Sequence, residues 1–174
     1  MNTHYKIQCK ALELANAFGF LYPAEVCLIQ AITETLPEDA VMVNVGVGVG
    51  TGSLAMAEIR PGGRIYSVDI SNGGPEGGFE NERNAFRAAQ MSNVPIQILG
   101  DSGEVWKGWK KLTENKEIDL LFIDADHSEK ALQKVIDGWT RFVKVGGYVL
   151  FHDYRSKFWS AVTRVVDQNM RNES

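Results

Sequence analysis

The sequence predicts one α/β domain: a doubly wound parallel sheet of about five strands with helices on both faces. Three observations carry this. The apolar run VMVNV at 41–45 stops at alternating glycines and gives way to a helical pattern. Four further short apolar runs follow at 65–68, 96–99, 118–123 and 148–151, with helical segments between them. Strands alternating with helices pack as a parallel sheet covered on both sides, and right-handed crossovers make it doubly wound and Rossmann-like. Most of the runs also end at an aspartate, on the rim where such folds hold ligands.

Taken in order, residues 3–18 read as an amphipathic helix, and Pro23 suits the first turn of a helix over 24–36. Strand one, 41–45, runs into Gly46, Gly48, Gly50 and Gly52, and a helix begins near Thr51 or Gly52. Glycine serves where a strand turns into a helix at positive φ and the backbone closely approaches a ligand. After the turn at 60–63, strand two spans 65–68 and ends at Asp69. The loop SNGGPEGG at 71–78 is either a mobile flap over the rim or a surface linker. A helix over 79–92, a strand over 96–99 and a helix within 103–114 follow. Strand four is 118–123, and Leu132, Val135, Ile136 and Trp139 give a helix over 129–143 one apolar face. The Gly146-Gly147 turn leads to strand five at 148–151, and a last helix covers 158–170. The single domain thus divides into an N-terminal helical segment (1–22), a ligand-binding core (23–155) and a C-terminal helix (156–174).

With 174 residues, 44% hydrophobic and 23% charged, the chain has the composition of one soluble globular domain. A net charge of −4 argues against a nucleic-acid partner, which wants a basic surface. No run approaches the roughly 20 apolar residues that span a bilayer. The N-terminus lacks the apolar core and cleavage site of a signal peptide, so the expectation is a cytoplasmic protein without membrane contact. Cys9 and Cys27 read as reduced packing residues.

The strand ends carry Asp69, Asp101, Asp124, Asp126 and Asp153, with His127 and His152 beside them. A lone aspartate there is often only a helix cap. Five carboxylates and two histidines on one predicted rim point to a site. Asp69 stands about 20 residues past the glycines, where a dinucleotide-binding domain keeps its ribose acid. The glycine spacing argues otherwise: GxGxxG needs glycine at 51 or 53, where this chain has Thr51 and Ser53. The pattern present is GxGxG, which points away from NAD and towards S-adenosylmethionine.

Here the chain resembles the class I S-adenosylmethionine-dependent methyltransferases, most of all the small O-methyltransferase branch of the caffeoyl-CoA and catechol types. The carrying segments are VNVGVGVGTGS at 43–53, IYSVDIS at 65–71, GDS at 100–102, IDLLFIDADHSEKALQKVIDGW at 118–139 and VKVGGYVLFHDYR at 143–155. The resemblance implies that Gly46, Gly48, Gly50 and Thr51 pass beneath the methionine part of the cofactor. It places Asp69, next to Ile70, on the ribose and Asp101, with Ser102, on the adenine. It implies that Asp124, a catalytic residue that also contacts the cofactor, and Asp153 hold Mg²⁺, Mn²⁺ or Ca²⁺, and that His127 is the general base. Oxygen ligands suit those ions.

Three departures stand out. Asn44 replaces the usual acid of the glycine-loop strand, so an amide would receive the cofactor's ammonium. Tyr154 replaces an asparagine after Asp153, which leaves His152 or Asp126 as third metal ligand, and a hard cation prefers Asp126. The antiparallel hairpin that normally ends the family's sheet is absent, which makes strand five an edge and predicts a homodimer there or at the last helix. The expected activity is O-methylation of a small hydroxylated acceptor. A nicotinamide-dependent oxidoreductase and a non-catalytic S-adenosylmethionine-binding module are the competing readings. Trp106 and Trp109 either flank adenine or pack between helices, and Phe158 and Trp159 either line an acceptor pocket or, the favoured reading, pack in the core.

Overall fold

The computed structural model describes residues 10–18, 20–73 and 77–170. Its centre is β1 (Val41–Val45), all five residues of which are buried. Side chains alternate across a strand, so Met42 faces one core and Val41, Val43 and Val45 the other. β1 pairs in parallel with β2 (Arg64–Asp69) on one side and β4 (Ile118–Ile123) on the other. β3 (Ile96–Leu99) lies outside β2 and β5 (Val143–Phe151) outside β4, giving the order β3-β2-β1-β4-β5. The chain winds outward through β3, then crosses to the far side of β1. The switch point between β1 and β4 is where such sheets open a crevice.

One face carries α1 (Lys10–Phe18), α2 (Pro23–Glu34), α3 (Thr51–Ile59) and α4 (Phe79–Ala88). Their core joins Ala11, Val26, Leu54, Met56 and Phe86 to Met42, Ile65 and Leu120 of the sheet. The other face carries α5 (Ser102–Val105), α6 (Trp109–Thr113), α7 (Glu129–Trp139) and α8 (Ser160–Met170). Leu132, Val135, Ile136 and Trp139 of α7 are all buried there, as their periodicity predicted. Trp109 packs edge-on against Tyr66 at 4.8 Å and Trp139 at 5.5 Å between ring centres. Trp106 lies under the Arg141 guanidinium, 4.9 Å from its ring centre. Both tryptophans therefore pack between elements rather than flanking a ligand.

Several expectations need correction. Strand five begins at Val143, not 148: Gly146, at φ +84°, lies inside it, and pairing with β4 shifts between Ile118 and Leu120. The residues between Val143 and Tyr148, both glycines among them, interrupt the pairing within the strand. The helix within 103–114 is broken into α5, a 3₁₀ turn at Trp106–Gly108 and α6. The helix predicted to 143 ends at Trp139, followed by a 3₁₀ turn. Cys27 is exposed, because α2 buries Val26, Ile29, Gln30 and Thr33 and Cys27 falls on the opposite arc. Cys9 and the start of the N-terminal helix lie outside the described residues. β5 is an edge of the described sheet, and Val145 on it is fully exposed. Among the described residues no helix is long and apolar enough to cross a membrane.

Candidate active site

Geometry makes glycine obligatory at two points of the loop after β1. At Gly46, φ is +87° and a Cβ would fall 1.8 Å from the Asp124 carbonyl oxygen. At Gly50, the N-cap of α3, φ is +88° and a Cβ would fall 2.8 Å from Cα of Glu82. The loop thus threads between the end of β4 and α4. Gly48 has open space where its Cβ would be. Asp69 fastens the loop: its Oδ2 accepts from Val47 N at 2.8 Å and its Oδ1 from Ser71 N at 2.7 Å. Gly78 N donates to Gly48 O at 2.6 Å, so the described end of the 71–78 loop closes onto the glycine loop.

Behind the loop lies a buried network that no sequence pattern announced. Glu82 Oε1 accepts from Ser53 Oγ and Ser67 Oγ, both at 2.6 Å, and Oε2 accepts from Gln97 Nε2 at 2.8 Å. Burial pushes the Glu82 carboxyl above its ordinary range, against the pull of the two hydroxyls and the Gln97 amide.

A cleft of about 740 Å³ opens over the carboxyl ends of β1 and β4. Asn44, Gly46, Gly48, Thr51, Asp69, Ile70, Asp101, Ser102, Asp124, Asp126, His127 and Asp153 all line it. Gly50, the remaining expected contact, stands at the helix start behind it. Asp101 also caps α5, its Oδ1 accepting from Gly103 N at 2.8 Å, so cap and rim position coexist in one residue. At the floor, Asn44 Oδ1 and Nδ2 and Thr51 Oγ1 are buried without hydrogen-bond partners. Buried polar atoms are seldom left so, and three together under one cleft ask for a polar ligand.

At the β4 and β5 ends, Asp124, His127, His152 and Asp153 bring donor atoms within 4.8 Å of one another. His152 Nδ1 lies 2.8 Å from Asp124 Oδ1 and 3.0 Å from Asp153 Oδ2. His127 Nε2 lies 2.9 Å from Asp153 Oδ2 and 4.0 Å from Asp124 Oδ1. Asp153 sits at φ +57°, a conformation uncommon outside glycine and frequent at working sites. Asp126 does not join them: its Oδ1 accepts from Ser128 N at 2.7 Å in the turn before α7. Where a third donor beside Asp124 and Asp153 was expected from His152 or Asp126, both imidazoles stand within the group and Asp126 stands outside it.

Glu25, on the first turn of α2, was not legible as a site residue. Its Oε2 accepts from Tyr22 N at 2.7 Å and stands 3.4 Å from His152 Nε2. Burial would lower the His152 pKa, but the Asp124 and Glu25 carboxylates facing its two nitrogens raise it to about 10. Burial pushes Asp124 up in spite of His152 and His127. Burial would also raise Glu25, yet His152 and the Tyr22 backbone N–H hold it below its ordinary value. Phe158 and Trp159 are corrected as well: they are exposed, line the cleft, and Trp159 stacks on His127 at 4.4 Å and 19°.

Residues 43–154 match the family model described as a methyltransferase domain. The chain belongs to that family. Its fold is that of known methyltransferases. A provisionally named caffeoyl-CoA O-methyltransferase from Staphylococcus aureus superposes with a TM-score of 0.72 at 15% identity, over 97% of this chain and 84% of that one. A SAM-dependent O-methyltransferase from Thermotoga maritima gives 0.68 at 13%, over 92% of this chain and 56% of that one. The methyltransferase PaMTH1 from Podospora anserina, whose structure holds S-adenosylhomocysteine (SAH), gives 0.66 at 16%, over 95% and 81%. At such identities the likeness is one of fold: the five-stranded, helix-covered parallel sheet of this methyltransferase-family chain. An uncharacterized protein of Acanthamoeba polyphaga mimivirus is 37% identical over 54 residues, 28% of this chain. That match spans about a quarter of the viral protein, 24%. Family membership favours the methyl-transfer reading over the oxidoreductase one.

Proposed function

We propose that this methyltransferase-family chain binds S-adenosylmethionine and transfers its methyl group to an oxygen of a small hydroxylated acceptor, assisted by a divalent cation. The observation that carries the cofactor is the floor of the cleft, where Asn44 and Thr51 hold three buried, unpartnered polar atoms below a loop open at Gly48. Such a floor fits an amino-acid head group, which brings both donors and acceptors.

Asn44, Gly46, Gly48, Gly50 and Thr51 are assigned to the methionine portion, Asp69 and Ile70 to the ribose, and Asp101 and Ser102 to the adenine. Asp69 already accepts two backbone N–H groups, yet a carboxylate offers about four lone-pair sites and retains acceptors for ribose hydroxyls. When bound, S-adenosylmethionine supplies an electrophilic sulfonium methyl. A divalent ion, when bound at Asp124 and Asp153, supplies the Lewis acidity that lowers the pKa of an acceptor hydroxyl. The chain's own part is orientation and proton control. Asp124 and His127 both line the cleft, and His127 is assigned as proton acceptor when no ion is present. Trp159 and Phe158 offer the acceptor an apolar wall. A second copy is proposed along the open edge of β5, where Val145 projects fully exposed. Sedimentation showing a monomer at micromolar concentration would refute that pairing.

Calorimetry with SAH, followed by transfer of labelled methyl to catechols and sugar hydroxyls, tests the reading. Saturable SAH binding and labelled ether products are expected. Absence of SAH binding at millimolar concentration would overturn the proposal.

A further inference from the structure

Four of the six separations among the donors at the β4 and β5 ends match those of ligands around one six-coordinate ion, and all six lie within 4.8 Å. Bonds of about 2.1 Å at right angles put neighbouring donors about 3.0 Å apart and opposite donors about 4.2 Å apart, whereas a tetrahedral ion wants about 3.4 Å throughout. His152–Asp124, His127–Asp153 and His152–Asp153 measure 2.8, 2.9 and 3.0 Å, matching neighbours. His127–Asp124 measures 4.0 Å, matching an opposite pair. With protonated imidazoles and no ion these contacts are ion pairs, but poorly aligned ones. His127 Nε2 and His152 Nδ1 are buried and make no aligned hydrogen bond, although carboxylate oxygens stand beside them.

The outer surroundings fit the same ion. Metal-bound histidine commonly presents its second ring nitrogen to a carboxylate, which fixes the tautomer. His152 turns Nε2 to Glu25, 3.4 Å away, and leaves Nδ1 facing inward. The His127 ring is held flat against Trp159. Donor chemistry then selects the ion: two imidazole nitrogens with two carboxylates suit borderline first-row ions, while Mg²⁺ and Ca²⁺ ask for oxygen alone.

We infer that Asp124, His127, His152 and Asp153 form a mixed nitrogen–oxygen site for a six-coordinate first-row transition ion of the Mn²⁺, Fe²⁺ or Co²⁺ kind, with Glu25 as its outer carboxylate. Four protein donors leave two of the six positions, both available to acceptor oxygens. This rests on the methyltransferase reading for what the ion does, but not for its binding. With the ion in place His127 is a ligand, and the acidity of an ion-bound hydroxyl replaces a separate base.

The test titrates metal-free protein with Co²⁺ alone, followed by visible absorption and calorimetry, with Mg²⁺ as competitor and SAH binding measured in parallel. Expected are the weak bands of a six-coordinate, nitrogen-containing Co²⁺ site that hundredfold excess Mg²⁺ does not displace. His127→Ala and His152→Ala should each weaken Co²⁺ by about tenfold or more, and Glu25→Gln by about tenfold. Asp126→Ala should leave it unchanged. SAH binding by the histidine variants shows that they are folded. Displacement by equimolar Mg²⁺, four-coordinate Co²⁺ bands, or Co²⁺ binding in His127→Ala and His152→Ala equal to the parent would overturn the inference. Loss of SAH binding with intact Co²⁺ binding would instead sink the methyltransferase reading alone.

Discussion

The backbone carbonyl of Asp124 occupies the place where a side chain on Gly46 would begin, 1.8 Å from its Cβ position. The glycine loop and the end of β4 are therefore one packed unit. Gly46→Ala should misplace the Asp124 carbonyl and cost more than about 3 kcal/mol, adding a backbone clash to positive-φ strain. Gly48→Ala meets only open space and should cost about 1–2 kcal/mol of strain while blocking the cleft. Denaturant unfolding and SAH calorimetry on both variants separate the two: the first loses fold and binding, the second mostly binding.

Asn44 is a stability liability without its ligand. Asn44→Leu removes two buried unpartnered atoms and should raise the stability of the ligand-free protein by about 1–2 kcal/mol while abolishing SAH binding. Asn44→Asp should do the opposite, lowering ligand-free stability at neutral pH while strengthening attraction for the cofactor's ammonium. Thermal shifts with and without S-adenosylmethionine check both.

His152 sets a pH dependence in the metal-free protein. Its pKa is raised from 6.5 to about 10, so the folded state binds its proton more tightly than the unfolded chain. The stabilisation is fully present below pH 6.5 and lost as pH rises towards 10. Unfolding free energy measured in chelator should decline over that interval, and His152→Gln should flatten the decline.

Glu82 acts over a lower window. Burial raises its carboxyl above 4.5, so its contribution is fully present below 4.5 and falls as pH climbs through the raised value. Glu82→Gln should make the protein relatively more stable at neutral than at acidic pH compared with the parent. Glu82→Ala strands Ser53, Ser67 and Gln97 and should cost about 2–4 kcal/mol, with weakened SAH binding through a loosened glycine loop.

Most of the fold was legible because its signals are local and periodic. Strands one, three and four were placed at 41–45, 96–99 and 118–123, where the structure has them. The missed boundaries have local causes: Gly146-Gly147 reads as a turn before a strand because glycine marks both turns and irregularities inside strands. The rim aspartates were visible because strand ends are visible. Glu25 and Glu82 were not, since each is an ordinary glutamate in an amphipathic helix and only tertiary packing brings it to the site. Trp159 misled for the opposite reason: a large aromatic reads as core, and only the geometry of the 152–159 segment turns it onto His127. Asp126 suits a hard cation by its chemistry, but only tertiary structure shows that its Oδ1 accepts from Ser128 N in the turn before α7 and that it stands apart from the four-residue group.

The seam between β1 and β4 has a consequence for assembly. Every residue assigned to the sugar, base and amino-acid parts of the cofactor precedes residue 103, and every donor assigned to the ion follows residue 123. Neither half of the polypeptide holds the whole reaction centre. On these assignments the proposed centre assembles where the two halves meet along the β1–β4 pairing. Ligand occupancy thus reports completed folding, and a ligand bridging the seam acts as a clasp between the two halves.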